Sequence, residues 1–355
     1  MANGLVMVDM LAAQESMASK EIEDVVHTVV ELSNIFERSK ITFSYETTIG
    51  KNGVAFYQAK AIRWASEANA SDLPSTSDLM EPQKIIPRRE KLLDATVLTQ
   101  GPLQSIEVFD GEDRKTASKR VFRSDGTRFY VSVHENRWDI LSDDVLPLAT
   151  PADVLSTIPN IFPSIPISRS MLNGEMSFPQ WINQAISAKS THIVDSQTIR
   201  FAGALEDAPN NSKLREIVEI YMNAQRTNIE SIKQWRVVGQ NVDSWQSYTP
   251  LPHEFQEIRL ADFKEISPGI TVPTSISATY SARWKSVLAN LSPEAREKAI
   301  KVTGLEESGQ TIDVLTHVWT IKEVDLKPVF TLNDFAPPKG VDTVVYDYLT
   351  ETFRE

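Results

Sequence analysis

The chain has 355 residues, of which 41% are hydrophobic, 24% are charged and none is cysteine. This composition is typical of a globular protein with a sizeable core, and the lack of cysteine excludes disulfides, thiolate metal sites and a cysteine nucleophile. The formal net charge of -12 makes nucleic acid an unfavourable partner, because its phosphates would be repelled.

The first residues contain a short apolar stretch, Leu5–Ala13, that resembles the end of a secretion signal. No basic residue precedes it and Asp9 lies within it. It is therefore interpreted either as the remnant of a signal segment or as a loosely packed leader, assigned to residues 1–17. No apolar run reaches the roughly 20 residues that a transmembrane helix needs.

A helix and then a hairpin are predicted after the leader. From Glu21 to Arg38 apolar residues recur with helical spacing, and His27 lies on the polar face as a solvated residue. From Ile41 to Ile49 apolar and polar residues alternate, which predicts a half-buried strand. The turn Gly50–Gly53 is predicted to lead into a second strand, Val54–Trp64.

Residues 65–104 are predicted to form a long excursion, because prolines and a Ser/Thr/Asp cluster break the pattern, with one short helix at Arg89–Leu93. Strands and hairpin turns then resume as a meander over Ser105–Phe109, Lys115–Phe122, Thr127–His134 and Arg137–Leu141. Two helices are predicted next, Pro151–Ile158 and Ser177–Lys189. Short helices inserted in a strand-rich chain indicate a lid.

The second half is again rich in predicted strands. They are Thr191–Phe201, Leu214–Met222, Asn228–Val238, Phe255–Phe263, Ile270–Tyr280 and Thr311–Leu326. Between the last two lies a predicted helix, Ser292–Lys301, with Ser292 as its cap and Pro293 at its first position. Helix and strand do not alternate as a parallel α/β fold requires. The fold class predicted is mainly β: one strongly curved antiparallel sheet, an open half-barrel of about a dozen strands, with an N-terminal helix and short lid helices.

The sequence motifs do not indicate catalysis or a metal site. The segment Gly304–Thr311 has the glycine spacing of a phosphate-binding loop but Gln310 replaces its lysine, and His253–Glu257 begins like a zinc-protease motif but ends in Glu instead of His. Acidic residues around Gly111 fit no calcium loop and are interpreted as a solvated turn. An enzyme would need His134, His192, His253 or His317 to meet a carboxylate and a nucleophile. We expect no catalytic residues, no metal and no cofactor.

Two phrases near the C-terminal end carry a family resemblance. Phe255–Pro273 contains a strand, a Pro-Gly-Ile turn and a Val-Pro strand start, and Phe330–Asp342 ends a strand with Pro-x-Gly and an acidic residue. Together with the order of the elements, they resemble the outer-membrane lipoprotein carrier (LolA-like) superfamily, in particular its divergent lipoprotein-sorting-protein-like bacterial members. The resemblance implies a half-barrel without catalytic residues, located in the periplasm or cell envelope. This chain is longer, which leaves lipoprotein trafficking itself open.

The function predicted from this fold is non-enzymatic binding of a lipid, or of the acyl chain of a lipoprotein, in an apolar trough. The residues predicted to line the trough or its lid are Phe43, Tyr45, Phe56, Trp64, Trp181, Ile182, Val272, Ile276 and Tyr280. The alternative is a structural or protein-interaction module whose interior is filled by its own side chains, and a hydrolase is the third possibility. We expect a monomer that makes at most transient membrane contact. The predicted domain covers residues 18–347, with insertions at 65–104 and 284–309 and a tail at 348–355.

Overall fold

The computed structural model describes residues 20–30, 38–67, 88–100, 103–110, 118–125, 129–134, 137–141, 178–203, 206–207, 213–238, 246, 254–289, 291–305, 310–337, 342–347 and 352–354. The predicted leader and the predicted helix Pro151–Ile158 lie outside these residues.

The helices of the described part begin with α1, residues 20–30. The others are α2 (Lys51–Glu67), α3 (Phe178–Ser187), α4 (Trp284–Ala289) and α5 (Pro293–Thr303), with a 3-10 turn at Leu332–Asp334. The strands are β1 (Arg38–Ile49), β2 (Arg88–Gln100), β3 (Leu103–Asp110), β4 (Ser118–Asp125), β5 (Phe129–His134), β6 (Arg137–Leu141), β7 (Thr191–Ile193), β8 (Thr198–Ala202), β9 (Glu206–Asp207), β10 (Lys213–Met222), β11 (Ile229–Val238), β12 (Glu254–Ser267), β13 (Ile270–Arg283), β14 (Thr311–Asp325), β15 (Asp342–Asp347) and β16 (Thr352–Arg354).

All these strands belong to one open sheet of 16 strands, in the order β16-β15-β6-β5-β4-β3-β2-β1-β14-β13-β12-β11-β10-β8-β7, with β9 paired to β10. The pairs are antiparallel except β15 with β6, which is parallel. The predicted class, a mainly β protein built on a single antiparallel half-barrel sheet, is confirmed. Near the middle of the sheet β14 pairs with both β1 and β13, so the first predicted strand lies beside the last long one.

The predicted hairpin after β1 is wrong, because residues 51–67 form α2 instead of a second strand. Ala55, Ala59 and Ile62 recur at helical spacing, and alanine favours helix. The alternation of Val54 and Phe56 therefore does not mark a strand. Both side chains are buried where α2 packs on the sheet.

The predicted excursion ends earlier than expected, because residues 88–100 form β2 and the predicted helix at Arg89–Leu93 is wrong. β2 pairs along its length with β1 and over Asp94–Gln100 with β3. The basic residues at its start show no strand pattern. Their conformation is therefore determined by pairing with β1 and not by local propensity.

The predicted strand Thr191–Phe201 is interrupted by a turn and forms β7 and β8. The carboxylate of Asp195 accepts hydrogen bonds from the backbone N–H groups of Gln197 and Thr198, both at 2.8 Å, which stabilises the turn. The other predicted strands are present, Arg137–Leu141 with the predicted bounds and the rest with shifted ends. The helix predicted at Ser292–Lys301 is confirmed as α5, capped by Ser292, whose hydroxyl accepts from the Ala295 N–H at 3.2 Å.

Candidate functional site

The candidate site is the face of the sheet that carries the largest apolar cluster, here called the inner face. On β1 the side chains of Phe43 and Tyr45 lie on this face, opposite Ile321 and Trp319 of β14. Trp319 is also opposite Ile276 of β13. Because residues that lie opposite each other in a sheet share a face, these side chains form one continuous apolar surface.

Two helices cover this surface. From α1, Val25 and Val29 are buried in the cluster, and from α3 Trp181, Ile182 and Ala185 are buried in it. The spacing of these positions places them on one stripe of each helix, as an amphipathic helix on a sheet requires. The sheet is therefore closed on this side by helices, and Trp181 and Ile182 are buried beneath one of them. Their role in a lid stays a prediction.

The N-terminal end of α1 is held to the sheet by Arg226. Its guanidinium lies 2.6 Å from the carboxylate of Glu21 and 4.0 Å from that of Asp24. It also donates to the carbonyl of Ser196, in the turn between β7 and β8. Arg226 has a positive φ of 56° in the β10–β11 turn, where its N–H donates to the carbonyl of Asn223 at 2.9 Å. A single arginine thus joins the covering helix to two turns of the sheet.

The inner face continues along β13 into a second apolar cluster. Ala278 belongs to the first cluster, and Tyr280, two residues further along the strand, packs against the second. Alternation places both on the same face. The ring of Phe56 from α2 lies 5.9 Å from that of Tyr280, and α4 and α5 complete this cover.

A polar group lies between the two clusters. Nδ1 of His317 is hydrogen-bonded to the hydroxyl of Tyr45 and lies 3.3 Å from Oγ1 of Thr47. The rings of Tyr45 and His317 are stacked, with centroids 5.7 Å apart. Burial raises the pKa of Tyr45 to about 12, against a smaller lowering by the hydrogen bond to Thr47, and burial lowers the pKa of His317.

These shifts make the Tyr45–Thr47–His317 group neutral near pH 7, since the phenol keeps its proton and the imidazole does not gain one. The described partners of His317 are hydroxyl and aromatic groups, in place of the carboxylate that a hydrolytic triad would use to orient the ring. A neutral group of this kind can donate and accept hydrogen bonds. In the structure the hydroxyls of Tyr45 and Thr47 are both engaged with Nδ1 of His317.

The other histidines do not add to this group. The ring of His27 is exposed on α1, as predicted, and His192 is half-buried on β7. His253 lies outside the described residues, and His134 belongs to β5. Within the described ranges, no three His, Asp or Glu side chains are close enough together to hold a metal ion. The same ranges contain no helix that is long and apolar enough to cross a membrane.

The structure brings together most of the predicted site residues. Six of them share the first cluster and are at most 3% exposed: Phe43, Tyr45, Trp181, Ile182, Val272 and Ile276. Phe56 and Tyr280 lie apart from these in the second cluster. Trp64 belongs to α2, and its side chain is outside the described part. The lining role of all nine residues stays a prediction.

Sequence reasoning missed Arg226 and the group around His317. An arginine in a turn between two strands has no local pattern, because its partners in α1 are about 200 positions away in the chain. The alternation of Tyr45 and Thr47 on β1 does place both side chains on one face. Only the pairing of β1 with β14 brings His317 beside them.

Comparison with solved structures finds a similarity that extends over most of the chain. No family model matches the chain, and no curated protein matches it. A crystal structure from Vibrio parahaemolyticus, described as an outer membrane lipoprotein-sorting protein domain, aligns with a TM-score of 0.33 and 8% sequence identity. The alignment covers 90% of this chain and 97% of that chain.

Proposed function

We propose that this protein binds a lipid or the acyl chain of a lipoprotein, without catalysis, between the inner face and the helices α1 and α3. The observation that carries the proposal is that the largest apolar surface of the sheet is closed by helices, one of which is held at its end by the ion pairs of Arg226. A helix held in this way can be displaced without breaking the sheet. The proposed setting is the periplasm or another part of the bacterial cell envelope.

The side chains of α1 and an acyl chain would compete for the inner face, and their free energies of burial can be compared. Val25 and Val29 together gain about 3 to 6 kcal/mol from burial against the sheet, while an acyl chain of about 16 carbons gains about 12 kcal/mol gross at about 0.8 kcal/mol per CH2. Association costs at least about 4 kcal/mol in lost translational and rotational freedom. On these figures the exchange favours the ligand by at most about 2 to 5 kcal/mol, before the burial of Ile22 and Val26 and the ion pairs of Arg226 are counted. A margin of this size suits a carrier that both binds and releases its ligand.

The second candidate function is a structural or protein-interaction module with a permanently filled interior. It is favoured by the near-complete burial of the six predicted residues in the first cluster. The two candidates differ in one property: whether α1 leaves the inner face. The experiment therefore has to restrain that helix.

The test uses the pair E21C/R226C, whose two thiols can be bridged by a short bis-maleimide. The chain has no cysteine of its own, so the reaction is confined to this pair. We expect the unbridged variant, which lacks the ion pairs of Arg226, to bind a fluorescent fatty acid faster than the unmodified chain. The bridged form should bind it at least about tenfold more slowly, since α1 can no longer move away.

The matched control is K233C/E257C, which replaces another ion pair but joins two adjacent strands, β11 and β12, at opposed positions. Bridging this pair should leave the binding rate unchanged. Mass spectrometry of an organic extract of the purified protein would identify a ligand already bound. If no acyl compound is extracted and none binds to the unbridged variant, the carrier proposal is wrong and the filled module is favoured.

A further inference from the structure

The hairpin of β12 and β13 extends beyond its neighbouring strands at its closed end. The pairs of β12 with β11 end at Arg259, although β12 continues to Ser267. The pairs of β13 with β14 begin only at Ser275, although β13 starts at Ile270. Beyond these positions the two strands pair with each other. Residues 262–274, here called the arm, therefore have no paired strand on either side within the described part of the chain.

The arm joins the sheet at two distorted positions. Asp262 has a positive φ of 53°, which is uncommon for a residue other than glycine and departs from the extended backbone of a strand. The hydroxyl of Thr274 donates to the carbonyl of Asp262 at 2.6 Å. The next residue, Pro273, has no N–H, and proline occurs in sheets where a strand has a free side. Asp262 and Thr274 therefore have the properties of a hinge, in which a few residues absorb changes in φ and ψ.

The arm covers part of the inner face with its apolar side chains. Val272 is 0% exposed and belongs to the first cluster. Phe263 and Ile266 are partly buried against the same cluster. The arm is thus held down by apolar packing, while its edges lack the strand pairing that fixes the rest of the hairpin. Regions held by few apolar contacts open at a lower free energy than the paired centre of a sheet.

We propose that the arm is a flap that swings away from the first cluster as one unit, turning at Asp262 and Thr274, while the paired part of the sheet stays intact. The internal pairs of the arm, such as Lys264 with Val272, are kept in this motion because they join only β12 to β13. The flap is a movable cover in addition to α1. Its opening does not depend on a ligand, whereas its role in retaining an acyl chain rests on the proposed function.

Hydrogen exchange of the ligand-free full chain, measured by NMR at low urea concentrations, tests the opening. Amides that join β12 to β13 within the arm should exchange at least about tenfold faster than the amides of residues 276–282. Their exchange should also depend less on urea, because opening of the arm exposes less surface than unfolding of the sheet. The flap is refuted if both groups of amides show the same urea dependence.

Two identical substitutions separate opening of the arm from unfolding of the sheet. Val272 lies in the arm and Val218 lies in β10, and both are 0% exposed in the first cluster. V272A should accelerate exchange of the arm amides at least about tenfold, because it weakens the packing that holds the arm closed. V218A should accelerate exchange at residues 276–282 and leave the arm amides unchanged, since two strands separate β10 from β13. Equal acceleration of the arm amides in both variants would show that the arm opens only with the sheet, and the proposal would be wrong.

Dissociation of a bound fluorescent fatty acid tests the retaining role. T274V removes the hydroxyl that donates to Asp262 and keeps the size of the side chain. We expect it to speed both arm exchange and dissociation about fivefold, as for the loss of one hydrogen bond. The matched control is T279V, which removes a hydroxyl bonded to that of Thr316 in the paired part of β13, and it should change neither rate. Equal dissociation from both variants would contradict the retaining role. A chain that binds no fatty acid would contradict the proposed function and the retaining role, and the exchange data would still decide whether the flap exists.

Discussion

Replacement of Gly53 by alanine tests the packing of α2 on the sheet. A Cβ atom built at Gly53 would lie 2.0 Å from the carbonyl oxygen of Val314 and 3.1 Å from a methyl group of Ile49. The obstacle at 2.0 Å is the backbone of β14 at a register shift in its pairing with β13, just beyond its last pair with β1, which is Thr48 with Thr316. The helix would have to move away from the strand, or the strand would have to bend.

The change in stability expected for Gly53→Ala has the opposite sign to the change expected from helix propensity alone. In an exposed helix, replacing glycine by alanine gains up to about 1 kcal/mol. At Gly53 we expect a loss of about 1 to 3 kcal/mol, the range for an overpacked interior, because α2 would have to separate from β14. The displaced contacts include Phe56, whose ring packs on Tyr280.

Urea unfolding followed by circular dichroism measures this effect as a shift in midpoint at constant slope. The matched control is Gly50→Ala, three residues earlier, where a Cβ would have no atom within 4 Å. We expect G50A to unfold within about 0.5 kcal/mol of the unmodified chain, as is usual for surface substitutions. If G53A is as stable as G50A, the close approach of α2 to β14 described here is incorrect.

Two further predictions concern the buried polar groups. Because burial lowers the pKa of His317 below the 6.5 of the unfolded chain, the unfolded state takes up a proton first as the pH falls. Stability contributed by the neutral ring should therefore be complete above pH 6.5 and decline below it, and His317→Gln should remove this part of the decline in urea unfolding between pH 7.5 and 5.5. On the opposite face, Arg200 and Glu219 form an ion pair at 2.6 Å with side chains 7% and 18% exposed. Glu219→Ala should destabilise the chain by about 3 kcal/mol, because the buried guanidinium loses this carboxylate partner and keeps neutral ones such as the carbonyl of Gln246. Arg200→Met combined with Glu219→Leu should recover most of that loss, and equal losses in both variants would contradict this account.

The class of fold could be predicted because alternation on β13 and β14 is a local property of the sequence. Half-buried strands with a polar face leave a clear pattern, and hairpin turns set their order. β2 could not be predicted in the same way, since its charged first residues are placed in the sheet only by pairing with β1. For α2 the error had another cause. Between residues 54 and 62 the apolar residues fit both the two-residue period of a strand and the 3.6-residue period of a helix. The alanine content of this segment favours the helix.

The sequence predicts which residues belong to the candidate site better than it predicts how they are arranged. Phe43, Tyr45 and Ile276 follow from their places on alternating strands, so their common burial could be expected. Their arrangement around His317 depends on the register of β1 against β14, including a bulge between Thr42 and Phe43 that shifts the pairing by one residue. A shift of this kind changes which side chains face each other, and sequence patterns do not encode it.

The two clusters of the inner face have different covers, and this difference limits where a ligand could enter. α2 begins directly after β1 through Gly50, and Gly53 brings its backbone against β14, so the second cluster is closed by a helix continuous with the sheet. The first cluster is closed by α1, whose described hold on the β10–β11 turn is the side chain of Arg226. Exposed or partly exposed ion pairs of this type contribute about 1 kcal/mol or less. Opening at the first cluster therefore costs mainly the burial of Val25 and Val29, about 3 to 6 kcal/mol, and does not pull on a backbone connection directly to the sheet as opening at α2 would. A ligand that enters there would reach Tyr45 and His317 at the boundary between the two.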